Sequence, residues 1–200
     1  MSHSGPSSGT LDPMGWYDAD IERVIITEDE LRAKVRELAK QVATDYESAD
    51  DLLLVCILKG AVMFMADFSR ALAAEGGRPV ELEFMAVSSY GQGTTSSGVV
   101  RIIKDLDRDI TNKNVIVVED IVDSGLTLNW LLRYLESRSA KTVDVVALFR
   151  KPEAVKVPVH VKYVGFDLPS EFVVGYGLDF GERYREVPFV GVLRPSVYSR

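Results

Sequence analysis

The stretch Val115-Ile-Val-Val-Glu119-Asp120-Ile-Val-Asp123-Ser124-Gly125-Leu126-Thr127 decides how this chain is read. Its first four residues are β-branched and apolar, the composition of a strand buried on both faces. That strand delivers two adjacent acids, then a third, to its C-terminal edge, where open α/β sheets bind ligands. Carboxylates only accept hydrogen bonds when ionised, so vicinal sugar hydroxyls or a Mg²⁺ are natural targets. Next, Ser124-Gly125-Leu126-Thr127 leads into a helix marked by Leu128, Leu131, Leu132 and Leu135. Free backbone N–H groups, two hydroxyls and the positive end of the helix dipole make an anion site there. Any one of these residues alone reads as a helix cap or a solvated acid. Three acids, a glycine and two hydroxyls in nine positions describe a site for a sugar phosphate.

Outward from this stretch, the pattern alternates strand and helix. Leu31, Val35, Leu38 and Val42 fall at helical spacing behind a Thr27/Glu30 capping box. The run Asp51–Leu58 predicts another buried strand, ending at Lys59-Gly60, and Ala61–Glu75 a helix with Met65, Phe68 and Leu72 inward, stopped by Gly76-Gly77. Val80, Leu82, Phe84 and Ala86 alternate as the buried face of a third strand. Ser88–Gly98 breaks the pattern, and Val99–Ile103 resumes it. Val143–Phe149, Val159–Phe166, Phe172–Val174 and Phe189–Leu193 predict further strands. The alternation implies an α/β fold with a mainly parallel sheet flanked by helices. The strand-rich part after Lys151 departs from it and is expected to form, together with N-terminal residues, a small hood over one end of the sheet. We expect a single domain over 16–200, with 1–15 a disordered tail rich in Ser, Gly and Pro.

Composition removes several function classes. Among 200 residues, 30 acids face 23 Lys and Arg, a net charge of −7, which disfavours nucleic acid and anionic lipid as partners. No apolar run approaches the ~20 residues that span a bilayer, and Met1–Gly15 lacks the apolar core of a secretory signal. The expected compartment is the cytoplasm. The lone Cys56 lies in an apolar run and reads as a buried structural thiol. Of two histidines, His3 is in the tail and His160 is expected to face solvent, so no Ser-His or Cys-His pair can be assembled. GxSxG, GxxxxGK[ST], GxGxxG and HExxH are all missing.

The stretch VIVVEDIVDSGLT resembles the signature of the type I phosphoribosyltransferases, which use 5-phosphoribosyl-1-pyrophosphate. Leu58-Lys59-Gly60 resembles their pyrophosphate loop, Ser89-Tyr90 the start of a mobile active-site loop, and Lys151 the lysine at the purine oxygen. Phe172-Val173-Val174-Gly175-Tyr176, then Asp179 and Arg185, resemble the base-binding hood of the hypoxanthine-guanine phosphoribosyltransferases. The matches run in order from about Thr27 to Leu193. The resemblance implies transfer of the phosphoribosyl group to hypoxanthine or guanine, with Mg²⁺ as cofactor. It implies that Glu119 and Asp120 hold the ribose hydroxyls and, with Asp179, the metal, that Asp123 is the acid–base group at purine N7, and that Ser124, Gly125 and Thr127 cradle the 5′-phosphate. Lys59, next to Gly60, would meet the pyrophosphate with backbone groups in a non-proline cis geometry, and Arg185 would meet it as well. Phe172 would stack on the purine and Val173 would offer backbone groups to its pairing edge. Lys151, a pure donor, suits a 6-oxo acceptor and mismatches adenine. Asp179 would meet a second metal or the region of the guanine amino group. Tyr90–Gly98 has the composition of a lid.

Adjacent Arg150 competes with Lys151 for the base, although the spacing to Phe172 favours Lys151. Leu126 stands where some relatives carry lysine, so phosphate binding rests on backbone and hydroxyl donors. Two other readings stay open, a xanthine-preferring enzyme and a non-catalytic nucleotide sensor of the same fold. The family likeness also implies a homodimer or homotetramer joined beyond the pyrophosphate loop, where Met63, Phe64 and Met65 suit an interface or a core equally.

Overall fold

The computed structural model describes residues 15–90 and 99–199. Strand β1 (Ile21–Ile26) leads to helix α1 (Glu28–Asp45), which opens on the capping box its sequence predicts. Thr27 Oγ1 accepts from the Glu30 N–H at 3.3 Å, and the Glu30 carboxylate accepts from the Thr27 N–H at 2.8 Å. Two amides that lack intrahelical partners are thereby satisfied. The helix buries Leu31, Val35, Leu38, Ala39 and Val42 as one stripe.

Strands β2 (Leu52–Leu58), β3 (Val80–Tyr90), β4 (Val99–Lys104), β5 (Asn114–Val122), β6 (Thr142–Arg150) and β7 (Tyr163–Asp167) form one sheet in the order β4-β3-β2-β5-β6-β7. Only β4 pairs antiparallel. Helix α2 (Val62–Ala74) packs beside α1 on one face, where Phe64, Phe68, Leu54, Ile116 and Val118 meet. Helix α3 (Leu126–Ser137) covers the other, with Leu128, Leu131 and Leu135 against Leu53, Val55, Val117 and Val145. Successive residues of β2 and β5 therefore enter different cores. That is why both strands are apolar without alternation.

A second, three-stranded antiparallel sheet, ordered β1-β9-β8, joins the start of the chain to its end through β8 (Val173–Val174) and β9 (Val190–Leu193), with a short helix α4 (Pro195–Tyr198) following. This is the hood. β1, unread in the sequence, completes it. Against expectation, part of the strand-rich tail belongs to the main sheet, because β7 pairs parallel with β6 across a connection holding only the 3₁₀ turn Pro152–Ala154.

Other expectations shift in register. Residues 159–162 form no strand; the Lys156 and Val157 N–H groups both donate to the Ser124 carbonyl, drawing this segment across the start of α3. Val159 and Val161 alternate with exposed His160 because they pack on the α3-side core. In β3, Val80 and Phe84 pack against the α1/α2-side core as expected, but Leu82 is exposed, and Glu83 and Met85 are buried as well. Arg108 Nε compensates Glu83 at 3.5 Å. The strand also runs on to Tyr90, so Ser88, Ser89 and Tyr90 pair with β4 rather than breaking the pattern. In α2, Phe64 and Met65 are core residues, leaving Met63 exposed.

Phe68, fully buried between α2 and the sheet, gives a direct check on this packing. Phe68→Ala should cost about 3–5 kcal/mol of stability, read as a lowered urea midpoint at unchanged m-value.

Candidate functional site

The chain leaves β2 toward β3 on one side, and leaves β5 toward β6 on the other. Neighbouring strands whose connections diverge in this way open a crevice at their carboxyl ends. Here β2 and β5 are in register only as far as Cys56 and Val118. Beyond that rung β5 continues beside β6 to Val122, paired with Arg150, while β2 turns off at Lys59.

The Leu58–Lys59 peptide is cis, as expected. Gly60 follows, its Cα pressed on the Asp120 carboxylate so closely that any side chain would collide with Oδ2. Both acids lie within β5 rather than beyond its end, and strand alternation turns them to opposite faces. Asp120 therefore faces the loop after β2, and Glu119 is buried away from it. Burial and the charge of Asp120 hold the Glu119 carboxyl well above the usual carboxylate range. Asp120 is pushed up to about 6, mainly by burial and further by Asp179, against the pull of the Ile121 N–H and Arg185. Cys56 sits behind them, buried, its thiol raised to about 12 by desolvation and then by the two acids. An inert structural thiol is the correct reading.

Past β5, Asp123 is exposed. Ser124 Oγ accepts from the Leu126 N–H at 3.4 Å. Gly125 caps α3 with φ +78°, and a Cβ there would strike the Val157 carbonyl. Gly125 has no side chain with which to cap α3, and beyond the Leu126 bond to Ser124 the first-turn N–H groups of Thr127 and Leu128 are left beside the Ser124 and Thr127 hydroxyls. Such a turn is built to receive an anion.

The hood closes the crevice from the opposite side. Gly177, at φ +101°, lies on the Gly60 carbonyl with no room for a side chain. The Tyr176 hydroxyl donates to Asp67 at 2.7 Å, fixing this turn to α2. Arg185 donates from Nη1 to the Gly177 carbonyl at 2.7 Å and pairs through Nη2 with Asp179 at 2.9 Å. Its Nε, among the described residues, is the one buried side-chain polar atom with no partner. Asp179, Arg185, Gly60 and Asp120 are thus one cluster, although 125 residues separate Gly60 from Arg185 in the chain.

Lys151, Phe172 and Val173 form a second group. The Lys151 ammonium donates to the Glu171 carbonyl at 3.0 Å, immediately before the exposed Phe172 ring. That ring stacks on Tyr198 and stands edge-on to Phe180. Leu193 N–H donates to the Phe172 carbonyl, so ladder alternation leaves the Val173 N–H and C=O on the free edge of the hood sheet. Arg150 is bidentate to Asp167 at 2.7 and 3.0 Å. The backbone of Ser89 and Tyr90 ends β3; the expected lid at 91–98 and the tail through residue 14 lie outside the described residues.

Two participants escaped the sequence reading. Gly177 matters through its contact with Gly60, which no local pattern signals. Glu182 links Lys59 to Arg185, at 2.9 and 3.2 Å; its only signal is an acid three residues from both Asp179 and Arg185. Among the described residues no three His, Cys, Asp or Glu side chains form a ready-made metal cage. The donor set nonetheless suits Mg²⁺, which takes one or two carboxylates and fills its shell with water and substrate oxygens. The charge of Asp179 adds to the cost of ionising Asp120, a repulsion that a divalent cation would relieve.

Comparison with known proteins places this geometry. Residues 26–181 match the phosphoribosyl transferase domain. The chain is 52% identical over 188 residues to a hypoxanthine-guanine phosphoribosyltransferase of Mycobacterium tuberculosis, covering 92% of this chain and 91% of that protein. It is 48% identical over 177 residues to the protein of that name from Dictyostelium discoideum, covering 88% and 98%. Among solved structures, a hypoxanthine phosphoribosyltransferase of Staphylococcus aureus superposes with a TM-score of 0.86 at 42% identity, over 91% of this chain and 96% of that one. One from Trypanosoma cruzi gives 0.87 at 41%, over 94% and 97%. Matched over most of its length by that domain and by relatives about half identical to it, the chain belongs to the phosphoribosyl transferases, on the branch of the hypoxanthine-guanine enzymes.

Proposed function

We propose that this chain salvages purines by moving the 5-phosphoribosyl group from 5-phosphoribosyl-1-pyrophosphate to N9 of hypoxanthine or guanine, giving IMP or GMP and pyrophosphate. The observation that carries the reading is the fork between β2 and β5. There an anion-receiving turn, two carboxylates and an unpartnered guanidinium N–H surround one crevice. In this reading Ser124, Gly125 and Thr127 hold the 5′-phosphate, and Asp120, with Glu119 behind it, orients the ribose hydroxyls. Lys59, Gly60 and Arg185 receive the pyrophosphate.

The purine lies on Phe172, its 6-oxo group accepting from Lys151 and its pairing edge meeting the free backbone of Val173. N9 attacks C1′, the C1′–O bond breaks, and its electron pair leaves with the pyrophosphate. Asp123 takes the proton that the base gives up at N7. Asp120 and Asp179 would hold Mg²⁺, which neutralises charge on the leaving group. Ser89 and Tyr90 begin the segment that excludes water from the electrophilic centre. Self-association as a dimer or tetramer belongs to the same reading, and exposed Met63, Leu82 and Ile103 supply apolar surface for it on α2, β3 and β4.

The reading is tested by offering hypoxanthine, guanine, xanthine and adenine separately with Mg²⁺ and 5-phosphoribosyl-1-pyrophosphate, following conversion by absorbance. Hypoxanthine and guanine should react and adenine should not, while Lys151→Ala should lose discrimination against adenine. Faster conversion of xanthine than of guanine would move the preference, and nucleotide binding without any conversion would leave a sensor instead of an enzyme.

Asp123→Asn should lower kcat by about 10²–10⁴-fold with the KM for 5-phosphoribosyl-1-pyrophosphate nearly unchanged. Asp120 has a further signature. Its carboxyl titrates near 6 in the folded chain and near the ordinary 3.8 when unfolded. Between those values the native state holds more protons, so stability falls as pH rises through this window. Asp120→Asn should therefore raise Tm at pH 8 without metal and leave it unmoved at pH 3.5, while reducing activity at both.

A further inference from the structure

The two loops that the proposed function assigns to pyrophosphate are joined through one carboxylate of the protein itself. Glu182 Oε2 accepts from Lys59 Nζ at 2.9 Å, and Oε1 accepts from Arg185 Nη2 at 3.2 Å. Both cations that would receive the leaving group thus converge on a single anion. Glu182 stands at the tip of the hood turn with φ +67°, and its own N–H donates to Asp179 Oδ2 at 2.9 Å. Its side chain is 61% exposed and that of Lys59 68%. The carboxylate bridges the mouth of the crevice, where it can rotate outward without unpacking anything.

The partners differ in what else holds them. Arg185 is fixed by Gly177 and Asp179 whether or not Glu182 is present. Lys59 has Glu182 as its one ion-pair partner among the described residues. Charge also argues for displacement. Among the described residues the ion pairs of Asp179 and Glu182 are with Lys59 and Arg185, and Asp120 lies beside them, so pyrophosphate arriving with Glu182 in place adds like charge to a cluster of three carboxylates and two cations.

Resting on the assignment of Lys59 and Arg185 to pyrophosphate, we propose that Glu182 is an internal stand-in for that anion. It keeps the two cations together between turnovers, must swing aside for 5-phosphoribosyl-1-pyrophosphate to bind, and returns as pyrophosphate leaves. Glu182 is on this account a specificity-setting residue that weakens binding of the substrate's leaving group and speeds its release.

Magnesium pyrophosphate titrated calorimetrically onto the wild-type chain and onto Glu182→Gln tests this. Exposed ion pairs are worth about 0.2–1 kcal/mol, which converts to roughly 1.4- to 5-fold. The variant should bind pyrophosphate more tightly by that factor, and its KM for 5-phosphoribosyl-1-pyrophosphate should fall in parallel. The KM for hypoxanthine should not move. The gain should shrink in high salt, because screening already weakens the competing contact. Glu182→Ala should shift the same way, which separates lost charge from altered shape. Unchanged or weaker pyrophosphate binding by Glu182→Gln, with Lys59→Ala and Arg185→Ala each clearly weakened, would overturn the stand-in alone. Wild-type affinity in Lys59→Ala and Arg185→Ala would instead overturn the underlying assignment of the cradle.

Discussion

The site depends on a failure of pairing. Strands β2 and β5 run together to the Cys56–Val118 rung and then part. Parallel strands in a doubly covered sheet normally satisfy each other along their length. Where they part, backbone and side-chain groups that a ladder would have consumed become available to a ligand. The gap is kept narrow by small atoms: Gly60 lies on Asp120, and Gly177 lies on Gly60. Three chain segments reach van der Waals contact there because two of them carry no side chain. A methyl at either glycine would force the hood and the strand fork apart.

Charge follows from that closeness. Asp179 lies near enough to oppose the ionisation of Asp120, and Arg185, paired with Asp179, compensates. In a stable scaffold without a ligand to bind, such a cluster would be replaced by apolar residues or fully paired ones. Here it is incompletely satisfied, down to a buried guanidinium N–H with no acceptor. Local cost concentrated at one point of an otherwise well-packed molecule is how a binding site differs from a core.

Much of this was legible in the residues. The buried strands are legible because they pack on both sides, the amphipathic helices because each buries one long stripe, and Thr27/Glu30 marks the start of α1 to the residue. Glu119-Asp120 and Ser124-Gly125-Leu126-Thr127 were legible because the strand end and the following turn are local in sequence. What escaped detection was set by distant partners. β1 reads as a nondescript six residues until β9 lies beside it. Leu82 and Glu83 exchange faces because tertiary cover, and an arginine from beyond β4, decide which side of β3 is wet. The strand expected at 159–162 was misread since Val-His-Val alternates equally well on a helix surface. Gly177 and Glu182 gain their meaning only from Gly60 and Lys59, more than a hundred residues upstream.

Cys56 gives this geometry a practical handle. It is the only thiol in the chain, it is buried, and it occupies the last rung that β2 and β5 share. A reagent that captures thiolates cannot reach it unless that rung opens, and burial raises the thiol to about 12 even so. The rate of alkylation at Cys56 therefore counts excursions in which the two halves of the sheet separate, with no background from any other sulfhydryl. The protein carries its own clock for the breathing of the fork on which its ligands depend.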